Sequence, residues 1–348
     1  HRLGLARLTP AGQLDASFGS GGLASTTVMG APRAIALQAD GRIVIGGRYQ
    51  RIDSIGRFLA LRLTADGAAD TSFGVDGIGD DTVAGEAIDI TIQSDGRIVL
   101  AGNYLIYHGK FGAAVARLTA SGALDGSFGN AGVRMLDVAV PEGSSSLSTV
   151  PWGIAQQSSG KLVIAGHSAG RFFAARLSTD GSVDTSFGAS GYYFRTPEAA
   201  VLLSQPRMTL LADGRILMAA STAPDGEPGR LTLVQVTANG FDDVPFGIGG
   251  QSVVPNGSPR NFGTPLSLRI QSDGKPQVVG VSPGEFLPQG FDFDVDLAAS
   301  ARFSAAGGLD AAGFGGELFS GSEGGALRVP FLAALGVECL VGGARALV

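Results

Sequence analysis

The stretch Leu14-Asp15-Ala16-Ser17-Phe18-Gly19 decides the fold, because it comes back along the whole chain. It recurs as Ala-Asp-Thr-Ser-Phe-Gly at 69–74, Leu-Asp-Gly-Ser-Phe-Gly at 124–129 and Val-Asp-Thr-Ser-Phe-Gly at 183–188. It then drifts to Asp-Asp-Val-Pro-Phe-Gly at 242–247 and Ala-Ala-Gly-Phe-Gly at 311–315. The phenylalanines at 18, 73, 128, 187, 246 and 314 are spaced by 55, 55, 59, 59 and 68 residues. A period of this length marks a row of similar supersecondary units packed on their neighbours.

Two other markers keep the same period. Gln-x-Asp-Gly-Arg stands at 38–42 and 93–97 and weakens to Ser159-Gly160-Lys161, Asp213-Gly214-Arg215 and Asp273-Gly274-Lys275. A Leu-Ala-Arg-Leu-Thr pattern surrounds Arg7, Arg62, Arg117, Arg176 and Arg302. In the first full unit the markers delimit four extended runs, A to D: Ala34–Gln38, Arg42–Tyr49, Phe58–Thr64 and Thr71–Ile78. Asp40-Gly41 and Asp66-Gly67 between runs supply the positive φ of a tight turn, so A–B and C–D read as hairpins. Four strands per repeat is the pattern of a propeller blade.

The chain opens on runs matching C and D (Leu3–Thr9, Ala16–Gly21) and closes on runs resembling A and B (Leu327–Leu335, Cys339–Val348). The expectation is an all-β, six-bladed β-propeller of four-stranded antiparallel blades. N-terminal strands C-D would pair with C-terminal strands A-B and leave no exposed edge. In this scheme a half-blade (1–31) precedes blades at 32–85, 86–150, 151–204, 205–263 and 264–326, and a half-blade at 327–348 follows.

Composition agrees. Glycine numbers 55 of 348 residues, 44% are hydrophobic and only 16% charged, against a usual charged share of about 25%. This excludes a disordered polyelectrolyte. Net charge of −6 with dispersed arginines argues against nucleic acid as partner. The single Cys339 excludes an intrachain disulfide framework, and no apolar run reaches the ~18–20 residues of a membrane span.

The Leu-Asp-x-Ser-Phe-Gly and Gln-x-Asp-Gly-Arg-Ile-Val-x-x-Gly motifs resemble the delta-60 repeat, a propeller-type repeat of secreted and cell-surface bacterial proteins. The resemblance spans nearly the whole chain and weakens from residue 235 onward, where Gln235 stands in place of the strand-C Arg and Pro245 in place of Ser. It implies a propeller in a secreted, periplasmic or bacterial cell-surface setting, and brings no catalytic residues with it.

The residues themselves leave few chemical constellations. The repeated Asp15, Asp70, Asp125, Asp184 and Asp310 are spread one per unit, so they do not converge on one cation; capping the turn into strand D, or pairing with the strand-C Arg, is the expected role. Gly166-His-Ser-Ala-Gly170 matches a nucleophile elbow in letters, yet no His follows Ser168 and the segment falls at the B–C junction. Asp292, Asp294 and Asp296 alternate, so in a strand they share a face. They read either as ligands of a divalent cation such as calcium or as a solvated strand edge.

A–B and C–D connections are short and uniform, whereas B–C and D–A connections vary, and variable loops are where binding is expected. The tyrosines, Trp152, His108 and His167 fall in or beside them. Aligned strand-A positions place Arg33, Asp89, Trp152, Arg207, Arg269 and Arg328 around a channel mouth, with Tyr104, Tyr107 and Tyr192 nearby. Arginine beside aromatic rings suits an anionic or sugar-like ligand. The expected function is a non-enzymatic binding or scaffold propeller taking a glycan, small ligand or protein, as a monomer or as part of a larger chain. A channel-site enzyme, such as a metal-assisted hydrolase or polysaccharide lyase, and a structural module of an adhesin are the alternatives.

Overall fold

The structure is a computed structural model that describes residues 2–50, 56–105, 111–136, 138, 148–197, 201–224, 229–254, 264–282, 297–310, 339–341 and 344–346. The first sheet runs β1 (Arg2–Ala6), β2 (Leu23–Leu37), β3 (Ile43–Gln50), β4 (Gly56–Leu63). The second runs β5 (Glu86–Ile92), β6 (Ile98–Leu105), β7 (Phe111–Leu118), β8 (Val133–Leu136). The third contains β9 (Thr149–Gln156), β10 (Leu162–Ser168), β11 (Arg171–Leu177) and β12 (Tyr192–Arg195). In the fourth, β13 (Val201–Leu202) and β14 (Arg207–Leu210) both pair β15 (Ile216–Ala223), which continues to β16 (Arg230–Val236) and β17 (Gln251–Val253). The fifth holds β18 (Pro265–Ile270), β19 (Pro276–Ser282) and β20 (Leu297–Arg302).

The propeller therefore has five blades, not the six expected. Two local reasons account for this. β2 runs unbroken for 15 residues, its first part pairing β1 and its second part pairing β3, so the N-terminal hairpin is knit into the first blade. At the other end, the run expected as one strand at 339–348 folds back on itself as β21 (Cys339–Val341) and β22 (Ala344–Ala346), with Cys339 opposite Ala346. Gly342-Gly343 lies between them, where the pattern required an extended residue pair. β22 comes near β2 without entering its ladder, so the half-blades do not pair among the described residues.

By internal packing the chain divides into two compact units. One comprises His1–Ile164, Leu177–Val183 and Arg328–Val348, and the other Ala165–Arg176 and Asp184–Leu327. The first is filled by residues such as Val44, Phe58, Phe73, Leu100 and Leu118, and the second by Leu217, Leu231, Phe246, Val278 and Phe303.

The hairpin turns form as read: Gly41 and Gly67 have φ of +83° and +90°. The Asp-x-Ser-Phe-Gly motif differs from its reading. The expected strand at Thr71–Ile78 is a compact turn, held by Phe73 N–H to Asp70 C=O and by single bridges at Leu61–Ile78 and Val75–Ile78. Where strand D is a ladder it begins after the motif, at Val133, Tyr192 and Gln251.

The motif fastens each repeat to the next. Arg62 donates from Nε to Asp70 (2.7 Å), from Nη2 to Ser72 Oγ (3.3 Å) and from Nη1 to the Ala120 carbonyl in the following repeat (2.6 Å). Its guanidinium lies 4.4 Å from the centroid of the fully buried Phe73 ring, a cation–π contact. That ring fits where the next turn has Gly122, whose added Cβ would come within 3.0 Å of it. Arg7, Arg117 and Arg176 repeat the arrangement, reaching the carbonyls of Ala65, Thr179 and Ala238. The role expected for the aspartates, turn capping and pairing with the strand-C Arg, is what Asp15, Asp70, Asp125 and Asp184 do. Burial alone would push the Asp70 and Asp125 carboxyls up. The serine hydroxyl and amide two residues on, with the arginine, outweigh burial and hold both below the usual carboxylate range.

Candidate functional site

Strand A carries a feature with no mark in the sequence. Its register slips at Pro32/Ala34, Ala87/Asp89 and Pro265/Ser267, one position in three repeats. A bulge of this kind leaves one residue unpaired and re-aims its side chain. Arg33 occupies the first, stands exposed, and forms an ion pair at 2.5 Å with Glu86, which opens the next repeat's strand A.

Asp89 follows the equivalent bulge. It accepts a hydrogen bond of 2.8 Å from the Ile154 backbone N–H, tying β5 to β9 and bringing the half-buried Trp152, two residues earlier, beside β5. In the other compact unit Arg207 donates to the Pro265 carbonyl at 3.4 Å, again joining one strand A to the next. Part of the charge assigned to a channel mouth thus links successive inner strands. Arg269 is exposed on β18.

The aromatic candidates separate. Tyr104 lies over Gly112 of the paired strand, where a Cβ would meet its ring at 2.5 Å, and packs on the first unit's core. Tyr192 pairs with Ala175 at the end of β11 nearest the C–D turn, on the hairpin side rather than at a variable connection. Its neighbour Tyr193 is buried and donates to Asp242 at 2.6 Å; burial first, then that carboxylate, pushes its phenol far above the usual range. Tyr107, His108, Arg328, Asp292, Asp294 and Asp296 lie outside the described residues. Among the described residues no group of three or more metal-ligating side chains comes together.

Gly166-His-Ser-Ala-Gly170 is a strand-turn-strand. Ser168 ends β10 fully buried, Ala169 and Gly170 turn with φ of +49° and +75°, and β11 follows at once. A nucleophile elbow needs an exposed serine opening a helix. Sequence reading missed Arg171, the first residue of β11, whose guanidinium lies 4.5 Å from the Phe194 ring centroid; the signal that could have found it is the recurrence of Gly-Arg at 56–57, 170–171 and 229–230, at the start of strand C. A shallow depression of about 260 Å³ lined by Asn130, Val133, Arg134 and Met135 sits on β8, three strands across the sheet from Asp89.

The model of a family described as a domain of unknown function (DUF5122) β-propeller matches residues 38–73, 93–128 and 157–187. These segments run from the A–B turn to the Phe of three successive repeats, the span the clasp occupies. The chain is a β-propeller repeat protein. No curated protein matches it. Among solved structures, the propeller is similar to a Bacteroides caccae protein of unknown function at 11% identity, covering 80% of each chain with a TM-score of 0.41. A Clostridium thermocellum α-L-arabinofuranosidase is similar at 12% identity over 81% of this chain and 92% of its own, TM-score 0.37. A Phanerochaete chrysosporium exo-β-1,3-galactanase is similar at 11% identity over 81% and 60%, TM-score 0.40. Likeness at this level says nothing of what the propeller binds.

Proposed function

We propose that the protein is a non-enzymatic binding or scaffold propeller of the delta-60 type, working in the bacterial envelope or secreted fraction. It takes a glycan, a small anionic ligand or a protein on the surface formed by the starts of strands A. The observation that carries the reading is the division of labour within each repeat. The hairpin end is uniform and its polar groups are spent on clasps, whereas the strand-A starts of the first three repeats bear unlike residues. Arg33 and Glu86, ion-paired with one another, and Trp152 put there an exposed guanidinium, a carboxylate and a half-buried indole. Guanidinium binds planar anions and an indole stacks on sugar faces.

Glycan and protein arrays probed with the intact chain test this. Retained binding partners should lose at least ~10-fold in affinity with Trp152→Ala and with Arg33→Ala, the order expected for central anchors. Unchanged binding in both variants, or no binding by the unaltered chain, overturns the reading.

A further inference from the structure

Each clasp joins a ring and a guanidinium from one repeat to the C–D turn of the next. Gly67, Gly122, Gly181, Gly240 and Gly307 stand in those turns against the preceding Phe ring, so close that an added Cβ would come within 3.0 Å of it. The carbonyl two residues before the Gly takes the arginine, at 2.6–2.7 Å from Arg7, Arg62, Arg117 and Arg176.

The first C–D turn of the chain is built the same way. Gly12 has φ +76°, and its N–H donates to Thr9 C=O as Gly67 N–H does to Thr64 C=O. Yet nothing lies within 4 Å of a Cβ added at Gly12, and the exposed Pro10, whose carbonyl is the equivalent acceptor, accepts no hydrogen bond among the described residues. The strand leading into this turn has an open face as well. Ala6 and Leu8 alternate on it and are exposed, Leu8 by 45%, whereas Leu63, Leu118, Leu177, Val236 and Phe303, at the place of Leu8 in later repeats, are 0–1% exposed.

Arg302 shows the converse. Its Nε holds Asp310 at 3.1 Å and its Nη2 reaches Asp273, but its Nη1 meets no carbonyl among the described residues. Phe314 follows in the sequence, with three residues between it and Asp310 where the other motifs have two. The fifth repeat thus has an arginine without its turn, and the first hairpin a turn without its arginine and ring.

We propose that the first hairpin is a docking site for the fifth-repeat clasp of a second copy of this chain. Arg302 Nη1 of the one copy takes the Pro10 carbonyl of the other, and Phe314 covers Gly12 and Leu8 as the earlier rings cover their turns. Such a contact between unlike ends is heterologous and adds copies end to end. Confined to one hairpin it is small, so it dissociates on dilution. It uses none of the strand-A starts and stands or falls apart from the binding surface proposed above.

Sedimentation velocity of the intact chain over a range of concentrations tests this. The mean sedimentation coefficient should rise with concentration. Leu8→Asp, at an exposed position, should keep the Tm of the dilute chain and weaken association at least ~10-fold, the order expected for a central anchor. Phe314→Ala should weaken it equally. An equimolar mixture of the two variants should form dimers, because one keeps the clasp and the other keeps the hairpin. Arg302→Lys keeps a cation beside Asp310 without a nitrogen for Pro10, and should weaken association several-fold; it replaces Phe314→Ala in the mixture if that variant melts early. An unaltered chain that stays monomeric at every concentration overturns the proposal, and a Tm that then falls with either Leu8→Asp or Phe314→Ala would place the clasp within one chain. Association lost with Leu8→Asp but kept with both clasp variants, or a mixture that stays monomeric, overturns it too.

Discussion

Asp125 collects four donors on one carboxylate: the Ser127 amide and hydroxyl on Oδ1, and Nε of both Arg117 and Arg97 on Oδ2. Its side chain is 9% exposed and that of Arg117 is 6% exposed, so removing the carboxylate leaves an enclosed cation behind. Asp125→Ala should therefore cost about 3 kcal/mol in chemical denaturation. Asp15→Ala makes the same change where Arg7 and Asp15 are 37% and 30% exposed, and water replaces the lost partner; its midpoint should move far less. Equal losses would mean that the clasp's contribution does not depend on enclosure. The pairing of these aspartates was legible because Asp and Arg recur at constant separation in each repeat. The contact of Arg171 with Phe194 was not, since Phe194 stands on the strand-D ladder, whose place the repeat motif does not mark.

Turns and bulges are where sequence and structure part at the level of elements. Asp-Gly dipeptides announce the hairpins through a backbone need only glycine meets easily. Gly181 also sits against its neighbour: a Cβ there would come 2.7 Å from the Gly129 amide nitrogen and 2.9 Å from the Phe128 ring. Gly12 has φ +76° and nothing within 4 Å of an added Cβ. Gly12→Ala should cost only the left-handed backbone, about 1–2 kcal/mol; Gly181→Ala should cost clearly more, measured by the same denaturation curves. The Ala169-Gly170 turn runs the other way. Ala169 holds φ +49° without being glycine, so Ala169→Asn should stabilise by about 0.5–1 kcal/mol, since Asn tolerates this region and suits a two-residue hairpin. The strand-A bulges carry no fixed mark in the sequence because a bulge requires no particular residue: Arg, Ile and Leu stand at 33, 88 and 266. The motif reads as part of strand D because its apolar Phe mimics strand alternation, whereas its hydrogen bonds close a turn.

The clasps form a row along the sequence, Arg7, Arg62, Arg117 and Arg176 each gripping the turn of the following repeat, so stability should be governed by nearest-neighbour links. The repeat count was legible and the blade count was not: blade closure depends on end segments, and those had already lost the Asp-Gly that sets register. Acid should weaken the row in two stages. Burial lowers the pKa of His167, so below about pH 6.5 the unfolded chain takes up a proton the folded chain refuses, and stability falls with pH. The clasp carboxylates have lowered pKa values, so their contribution is full above about pH 4 and is lost as pH drops through their folded values. Tm measured from pH 8 to 3 should show a shallow fall and then a steep one, with His167→Gln removing only the first. The row's altered link is the fourth repeat. Gln235 reaches Asp243 at 2.5 Å but is too short to bridge to the following turn as Arg176 does to Ala238, and Pro245 has no hydroxyl. Phe246 still lies against Gly307, and Gly247 N–H still donates to Ala306. Gln235→Arg should bring Nη1 to the Ala305 carbonyl, the position equivalent to Ala238, but leaves Nη2 without its serine. Joined with Pro245→Ser, it should stabilise by about 1 kcal/mol beyond the sum of the two single changes, a coupling of the size found between residues in one network. Strictly additive effects in denaturant would mean that arginine, serine and aspartate do not act there as one clasp.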